Sequence, residues 1–499
     1  MQACPSLGRL TSLRELLAEA KVFGIDDVWI SGCTCDSRRV KPGYLFAALP
    51  GIRHDGHQFI AEAVARGCVA VLSPRPVDNV AVPTCVVDHV GEVFGQICQA
   101  LAGHPSRALK VIGVTGTNGK TTTSCLIASI LTTAKRRVGL LGTLGYLDGR
   151  AIEESHWTTP PAEQLAAWLA RMVGNGCSHA VMEVSSHALD QARVAGVRFD
   201  AACVTNVTRD HLDYHPTIDD YRLAKSKLFD YLPAEAFAVI NADDPVSAGY
   251  LRQIDGPVLT VGIHSAAEIT ATPIERCLSE QTFLLTAGSE TIPVRTAMIG
   301  THHVYNCLVA AAVGLTYGID LPTVVRGLES AEHVPGRLER LECGQPFGVF
   351  VDYAHTPDAL EGCLKTLREV TDGRLICVFG AGGDRDRRKR PLMGRAVESV
   401  ADVALVTSDN PRTEDPETII RDVLAGFRSP QKAEVVADRA GAIRRALAEA
   451  RPGDCVLLAG KGHEDYQIVG DRRLPLDDGE IARQWLYEAR PHVERSGDV

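Results

Sequence analysis

Residues 111–123, VIGVTGTNGKTTT, constrain this chain more than any other feature. A β-branched run leads into a glycine-rich turn, and the helical stretch CLIASILTTA follows at once. A nucleotide's phosphates need inward-pointing backbone N–H groups, a close backbone approach that glycine permits, and a helix N-terminus that favours negative charge. Gly116, Thr117, Asn118 and Gly119 supply the turn, Lys120 the reach to the terminal phosphates, and Thr121, followed by Thr122, a hydroxyl suited to Mg²⁺. The strict GxxxxGK[ST] pattern is not met, because Val114 stands where its first glycine would be. A plain strand-turn-helix connection would also use glycine and threonine. Gly, Lys and Thr in register favour the phosphate loop.

The surrounding chain reads as α/β. Short apolar runs (111–114, 180–184, 201–204, 238–240) alternate with longer helical patterns, which predicts a largely parallel sheet between about 106 and 335. Before it, residues 1–105 open with a helical pattern over 1–20 and close with strand-like runs such as 69–72, a smaller mixed α/β block. After the break HVPGR at 333–337, alternation resumes through GVFVDYA, LICVFG, VALVTSD and CVLLAG, which defines a third block, 336–499. Three domains suit 499 residues at about 150 per domain.

Composition excludes several classes. With 52 basic and 62 acidic side chains the net charge is −10, which argues against a nucleic-acid or anionic-lipid surface. Fifteen cysteines contain no CxxC, so neither a zinc ribbon nor a thioredoxin-like motif is supported, and the odd number fits poorly with a complete disulfide framework. No segment approaches the roughly 20 apolar residues of a membrane span. The expectation is a soluble cytoplasmic protein without nucleic-acid or membrane partners.

In open α/β sheets ligands gather beyond the carboxyl ends of the strands, so the polar residues there are candidates. Glu183 suits a Mg²⁺ ligand or water anchor, and equally a solvated strand end. TRDHLDYH clusters Asp210, His211, Asp213 and His215 without HExxH spacing; taken alone it reads as a polar turn. Lys225 and Lys227, in YRLAKSKLF, read in isolation as solvated.

Together the segments TGTNGKTTT, EVSSHALDQARV, TNVTRDHLDYH, DYAHTPDAL, FGAGGDRDRRKRPLMG and SDNPRTEDP resemble the Mur ligase family of peptidoglycan precursor synthesis. The resemblance runs from CDSRRVKPGYLFAALPG to AGKGHEDYQ. It implies a UDP-substrate domain at 1–105, a central P-loop-type ATPase domain at 106–335 and a dinucleotide-fold-like, amino-acid-binding domain at 336–499. The implied activity is ATP-dependent ligation of meso-2,6-diaminopimelate to UDP-N-acetylmuramoyl-L-alanyl-D-glutamate through an acyl phosphate, by a monomer acting on small molecules. Folylpolyglutamate synthase shares the general plan, but the WTTP and DNPRTEDP segments do not resemble it.

The resemblance also implies roles that the residues alone leave open. Lys120 falls on the phosphates, Thr121 and Glu183 at one Mg²⁺, and His211 with a carbamylated Lys225 at a second. A carbamate offers the anionic oxygens that Mg²⁺ prefers, where an ammonium would repel it. Asn306, Arg337 and Asp352 match contacts to adenine, phosphates and ribose, and His355 lies near the phosphates or the domain junction. Thr158, Thr159, Ser185, Gln191 and Arg193 resemble residues that grip the muramoyl peptide. Ser31, with Asp36, Ser37 and residues 54–57, falls in the uridine-diphosphate stretch. For diaminopimelate, Arg412 can fork the distal carboxylate, Asn410 can bond the same group and Glu464 can pair with its ammonium. Arg385 falls on the other carboxylate, while Asp409, Pro411 and Gly460 line the pocket.

Overall fold

The computed structural model describes residues 10–16, 21–23, 27–51 and 55–488. Of the helical pattern expected over 1–20, residues 1–9 and 17–20 lie outside the described residues. The remainder forms a short strand, Thr11–Ser12, paired with Trp29–Ile30, and a single helical turn, Leu13–Leu16.

Among the described residues, three sheets of five or more strands carry the fold. The first has five strands in the order Lys21–Phe23, Thr84–Val86, Ala70–Ser73, Tyr44–Ala47, Gly32–Thr34, parallel except for the first pair. The second has eleven. Its parallel centre runs Val138–Gly142, His179–Glu183, Lys110–Thr115, Ala201–Val204, Phe237–Asn241, Val258–Gly262, Ile269–Arg276. Antiparallel strands extend both edges: Gly145–Leu147 and Ile152–Glu153 on one side, Gln281–Ala287 and Glu290–Thr296 on the other. The sheet is thus parallel where expected and antiparallel at its margins. The third sheet has six strands, Glu339–Arg340, Gly348–Asp352, Cys455–Ala459, Leu375–Phe379, Val403–Val406, Ala433–Val435, antiparallel only in its first pair.

The central strands are covered on both faces, which is why they read as continuous apolar runs rather than alternating ones. One face packs Ile112, Val114 and Val239 against the helices Lys120–Thr133 and Thr301–Thr316, the latter apolar around most of its circumference. The other face packs Val111, Ala202 and Ile240 with Leu165, Leu169 and Met172 of the helix Ala162–Gly174. Burying each such Leu, Ile or Val contributes about 1.5–3 kcal/mol. The strand order reverses beside Lys110–Thr115: the next strand in sequence, Val138–Gly142, lies two places to one side, and Ala201–Val204 lies next to it on the other. Such a switch point opens a crevice at the carboxyl ends of the strands, and the glycine-rich turn lies in it.

Candidate functional site

The loop after Lys110–Thr115 has a shape that only glycine allows. Gly116 has φ +150°, and a Cβ there would lie 1.9 Å from Thr205 Oγ1. Gly119 has φ +85°, and its Cβ would lie 2.4 Å from Asn306 Oδ1. Thr205 Oγ1 and Asn206 Nδ2 donate to the Asn118 carbonyl at 2.6 and 3.1 Å, while Thr117 Oγ1 meets Tyr221 Oη at 2.9 Å. The turn is therefore tied to the neighbouring strand end. Lys120 opens the following helix and donates from Nζ to the carbonyls of Gly116 and Thr117, both at 2.9 Å. Thr122 is buried. Thr121 Oγ1 donates to Glu183 Oε2 at 3.0 Å and accepts from Arg337 Nη2 at 3.0 Å. Glu183, at the end of its strand, is buried and takes Thr143 N and Oγ1 at 2.8 and 3.1 Å.

Lys225 is fully buried, against the surface position its local pattern suggests. Its Nζ donates to the same Gly116 carbonyl at 2.8 Å and lies 4.6 Å from the Tyr221 ring centroid. Burial, with Lys120 adding repulsion, holds its pKa well below that of an ordinary lysine. His211 has φ +54° and sits 3.5 Å from the Asp210 carboxylate, and burial lowers its pKa. Burial opposes the charge of Asp210, but His211, His355 and Lys389 outweigh it and hold the carboxyl low. His187 stacks edge-on to His211, ring centroids 4.7 Å apart. Among the described residues no group of three His, Cys, Asp or Glu side chains is preformed for a metal.

The segment that leads to the third sheet closes over this loop. Asn306, buried on Thr301–Thr316, accepts from Thr123 Oγ1 at 3.3 Å. The Arg337 guanidinium lies 4.7 Å from the Tyr353 ring centroid. Asp352 ends the strand Gly348–Asp352 and accepts from the Leu338 and Ala354 N–H groups at 2.6 and 2.7 Å, and burial raises its pKa against the pull of Arg337. His355 Nδ1 donates to the Tyr353 carbonyl at 2.8 Å, which leaves Nε2 unprotonated in the neutral ring. Burial lowers its pKa to about 4.

A cleft of about 240 Å³ joins the second and third sheets, lined on one side by His187, Asp210 and His211 and on the other by Arg385, Asp409, Asn410, Arg412, Gly460 and Glu464. Arg412 has φ +52°, donates from Nη1 to the Gly383 carbonyl at 2.7 Å, and is held by its N–H on the Ile468 carbonyl at 3.0 Å. Its neighbour Pro411 packs its carbonyl 1.9 Å from where a Cβ on Gly383 would fall. Asn410 donates to Glu464 at 2.8 Å and accepts from Ile468 N at 2.8 Å. Glu464 also meets the fully buried Lys461 at 3.3 Å, a cation that the sequence reading did not foresee. Beneath lies the buried pair Arg439–Asp478 at 2.5 Å. Beside it the fully buried Arg390 grips Glu414 through two bonds, 2.7 and 3.0 Å, and Asp422 at 2.9 Å. Arg390 holds the Glu414 carboxyl down to about 2. Lys389 also enters the cleft, facing Asp210, Asp213 and Asp409.

Next to Glu183 a further group assembles. Thr158 Oγ1 meets Thr143 Oγ1 at 3.2 Å, Thr159 Oγ1 donates to the Glu183 carbonyl at 2.9 Å, and Ser185 N donates to Thr159 Oγ1 at 3.0 Å. Arg193 donates to Gln191 Oε1 and the Thr159 carbonyl, under the Trp157 ring. Trp157 carried no signal of its own in the sequence. Ser31 lies apart from these, beside the first sheet, its N–H on the Gly43 carbonyl at 2.9 Å. Asp36 caps the turn Ser37–Arg39, Ser37 donates to Glu62, and His57 meets Ser73; His54 lies outside the described residues.

Residues 29–100, 114–314 and 336–462 match, in turn, family models described as Mur ligase family, catalytic domain; Mur ligase middle domain; and Mur ligase, glutamate ligase domain. The chain is 44% identical over 462 residues to the UDP-N-acetylmuramoyl-L-alanyl-D-glutamate–2,6-diaminopimelate ligase of Geobacillus thermodenitrificans, covering 91% of this chain and 94% of that one. It is 45% identical over 493 residues to the protein of the same name from Synechococcus elongatus, covering 96% and 99%. Among solved structures, one of a ligase of that name superposes with a TM-score of 0.70 at 34% identity, covering 96% of this chain and 99% of that one. MurF from Acinetobacter baumannii, at 22% identity and a TM-score of 0.63, shares the fold, over 90% and 95% of the two chains.

Proposed function

Because the chain belongs to the Mur ligase family, we propose that it is an ATP-dependent ligase that adds meso-2,6-diaminopimelate to UDP-N-acetylmuramoyl-L-alanyl-D-glutamate in peptidoglycan precursor synthesis. One observation carries this: the cleft that holds Arg385 and Arg412 on one side is lined on the other by Asp210 and His211, whose segment is tied to the phosphate loop by the bonds between Thr208 and Thr117. Phosphoryl transfer to a carboxylate and capture of the product by an amine require that adjacency.

The D-glutamyl carboxylate attacks the γ-phosphorus of ATP, ADP leaves, and the diaminopimelate amine then displaces phosphate from the acyl phosphate. Lys120 and the loop N–H groups neutralise the phosphates, at the N-terminus of a 14-residue helix. Arg337 and Asp352 take the nucleotide with Asn306. Thr158, Thr159, Ser185, Gln191 and Arg193 hold the muramoyl peptide, with Ser31 toward the UDP end. Arg412, Asn410 and Glu464 take the distal end of diaminopimelate, Arg385 its other carboxylate, and Asp409, Pro411 and Gly460 shape the wall.

Thr121 Oγ1 and Glu183 Oε2, 3.0 Å apart, are hard oxygen donors that suit Mg²⁺ shared with phosphates. His211 with Lys225 would hold a second ion, and such ions supply charge neutralisation on the phosphates. The support for a carbamate on Lys225 is its burial and depressed pKa, which favour the free amine that attacks CO₂. We divide the chain into domains at about 105 and 335 and take it to work as a cytoplasmic monomer on small molecules. Among the described residues no helix is long and apolar enough to cross a membrane. The test is a mass spectrum of the product after incubation with ATP, the UDP-linked dipeptide and either meso-diaminopimelate or L-lysine. A tripeptide carrying diaminopimelate is expected, and its absence, or equal use of lysine, refutes the assignment.

A further inference from the structure

Arg193 is a guanidinium held by neutral acceptors alone. Nε and Nη2 donate to Gln191 Oε1 at 3.0 and 2.7 Å, and Nη1 donates to the Thr159 carbonyl at 3.1 Å. Three of the five guanidinium N–H bonds are thereby engaged with neutral acceptors, which leaves one on Nη1 and one on Nη2. The ionisable groups that face it most strongly are Tyr214, Tyr146 and Cys35, all uncharged at neutral pH. Gln191 is itself oriented, its Nε2 on Tyr214 Oη at 3.2 Å and that hydroxyl on Asp190 at 2.8 Å.

These bonds hold all three guanidinium nitrogens, and the face is covered by the Trp157 ring, 4.7 Å from Cζ to the centroid. Trp157 is 49% exposed, so it does not serve the core. Its backbone carbonyl accepts from Tyr146 Oη, and Thr158 and Thr159 follow directly. Cation–π contact is strongest with Trp and grows as the pair loses water. The terminal glutamyl residue of the acceptor carries two carboxylates, of which one is activated and the other must be kept from the phosphate.

We propose that Trp157 is a positioning residue: its indole holds the Arg193 guanidinium in plane, so that the remaining Nη1 and Nη2 hydrogens meet the glutamyl carboxylate that is not ligated and the other is left for activation. This rests on the acceptor assigned above and extends it to the choice between two chemically similar groups. A planar fork receives a carboxylate through two parallel bonds, whereas a primary amide offers one acceptor and brings its own N–H groups against the cation.

The experiment compares the UDP-linked dipeptide with an analogue whose non-ligated glutamyl carboxylate is a primary amide, using wild type, Trp157→Ala and Trp157→Phe. Wild type is expected to favour the acid strongly in kcat/KM. In Trp157→Ala the KM for the acid rises about tenfold, the acid-to-amide preference shrinks by the same factor, and kcat and the KM values for ATP and diaminopimelate stay within about twofold. Trp157→Phe restores most of the loss, which a merely structural defect would not show. An acid KM within twofold of wild type in Trp157→Ala, or acid and amide weakened equally, overturns the proposal. A wild-type enzyme that forms no tripeptide refutes the proposed function instead, and this is read before any variant is made.

Discussion

Arg412→Ala isolates the diaminopimelate end of the reaction. The side chain is half-buried and already commits Nη1 to the Gly383 carbonyl at 2.7 Å, so only part of its fork is available to a substrate carboxylate. Deleting one partner of a desolvated charge pair costs about 2–5 kcal/mol. Partial exposure and the nearby Arg385, whose charge opposes that of Arg412 and is relieved by the deletion, put the expectation at the lower end. About 2–3 kcal/mol corresponds to a loss of roughly 30- to 160-fold in kcat/KM for meso-diaminopimelate. Backbone strain does not confound the comparison, since φ +52° is equally unfavourable for Ala and Arg. Arg412→Lys retains charge without the planar fork and should fall about tenfold. The assay is steady-state phosphate release with each amino acid and with ATP varied separately. L-lysine supplies the control: without a distal carboxylate, its poor ligation should be nearly the same in wild type and Arg412→Ala. A KM for ATP that rises in step with that for diaminopimelate, or a loss under threefold, would refute the assignment.

Lys225→Ala is expected to lower kcat on the order of 100-fold, with no recovery in bicarbonate and partial recovery in acetate or formate; full activity would remove the carbamate from the mechanism. Gly119→Ala forces a side chain into φ +85° and within 2.4 Å of Asn306 Oδ1, so calorimetry should show ATP affinity reduced at least about tenfold while cooperative thermal unfolding persists. Glu414→Gln tests the Arg390 clamp through pH. The Glu414 pKa is about 2 in the folded chain against an ordinary 4.5, so its stabilisation is complete above about 4.5 and fades as pH falls toward 2. The variant should lose about 2 kcal/mol by denaturant unfolding at neutral pH, and the gap should narrow in acid; a gap independent of pH would show that the carboxylate charge contributes nothing.

The features legible in the sequence are those set by short-range pattern. The strand, glycine turn and helix of residues 110–133 announce themselves because φ, capping and periodicity are local matters. The antiparallel arm Gln281–Ala287 and Glu290–Thr296 did not, since its alternation is half solvated and a strand that carries Pro273 precedes it. Lys225 and Asn306 were assigned to the site only through family resemblance. Nothing in YRLAKSKLF distinguishes a solvated lysine from one that is 1% exposed, because the Gly116 carbonyl and Tyr221 ring that enclose it depend on tertiary packing. Lys389 and Lys461 were missed for the same reason, and Trp157 because an aromatic before Thr-Thr carries no periodic signal.

A common electrostatic logic links these residues. The chain carries a net charge of −10, yet at the site cations stand against one another or among neutral groups: Lys120 donates to two loop carbonyls, Arg385 opposes Arg412, and Arg193 faces only neutral groups. Each arrangement costs stability in the free protein, and each is relieved by an anion that the proposed substrates bring: triphosphate at the loop, carboxylates of diaminopimelate at Arg385 and Arg412, a glutamyl carboxylate at Arg193. Cations fixed before the substrate arrives need no reorganisation when charge develops on the transferring phosphoryl and acyl groups, which is where preorganised dipoles and charges contribute most to rate. The same crowding explains why local sequence patterns under-read the site, because a pattern rule that expects every charge to be solvated or paired has no place for charges held apart from their partners until ligands bind.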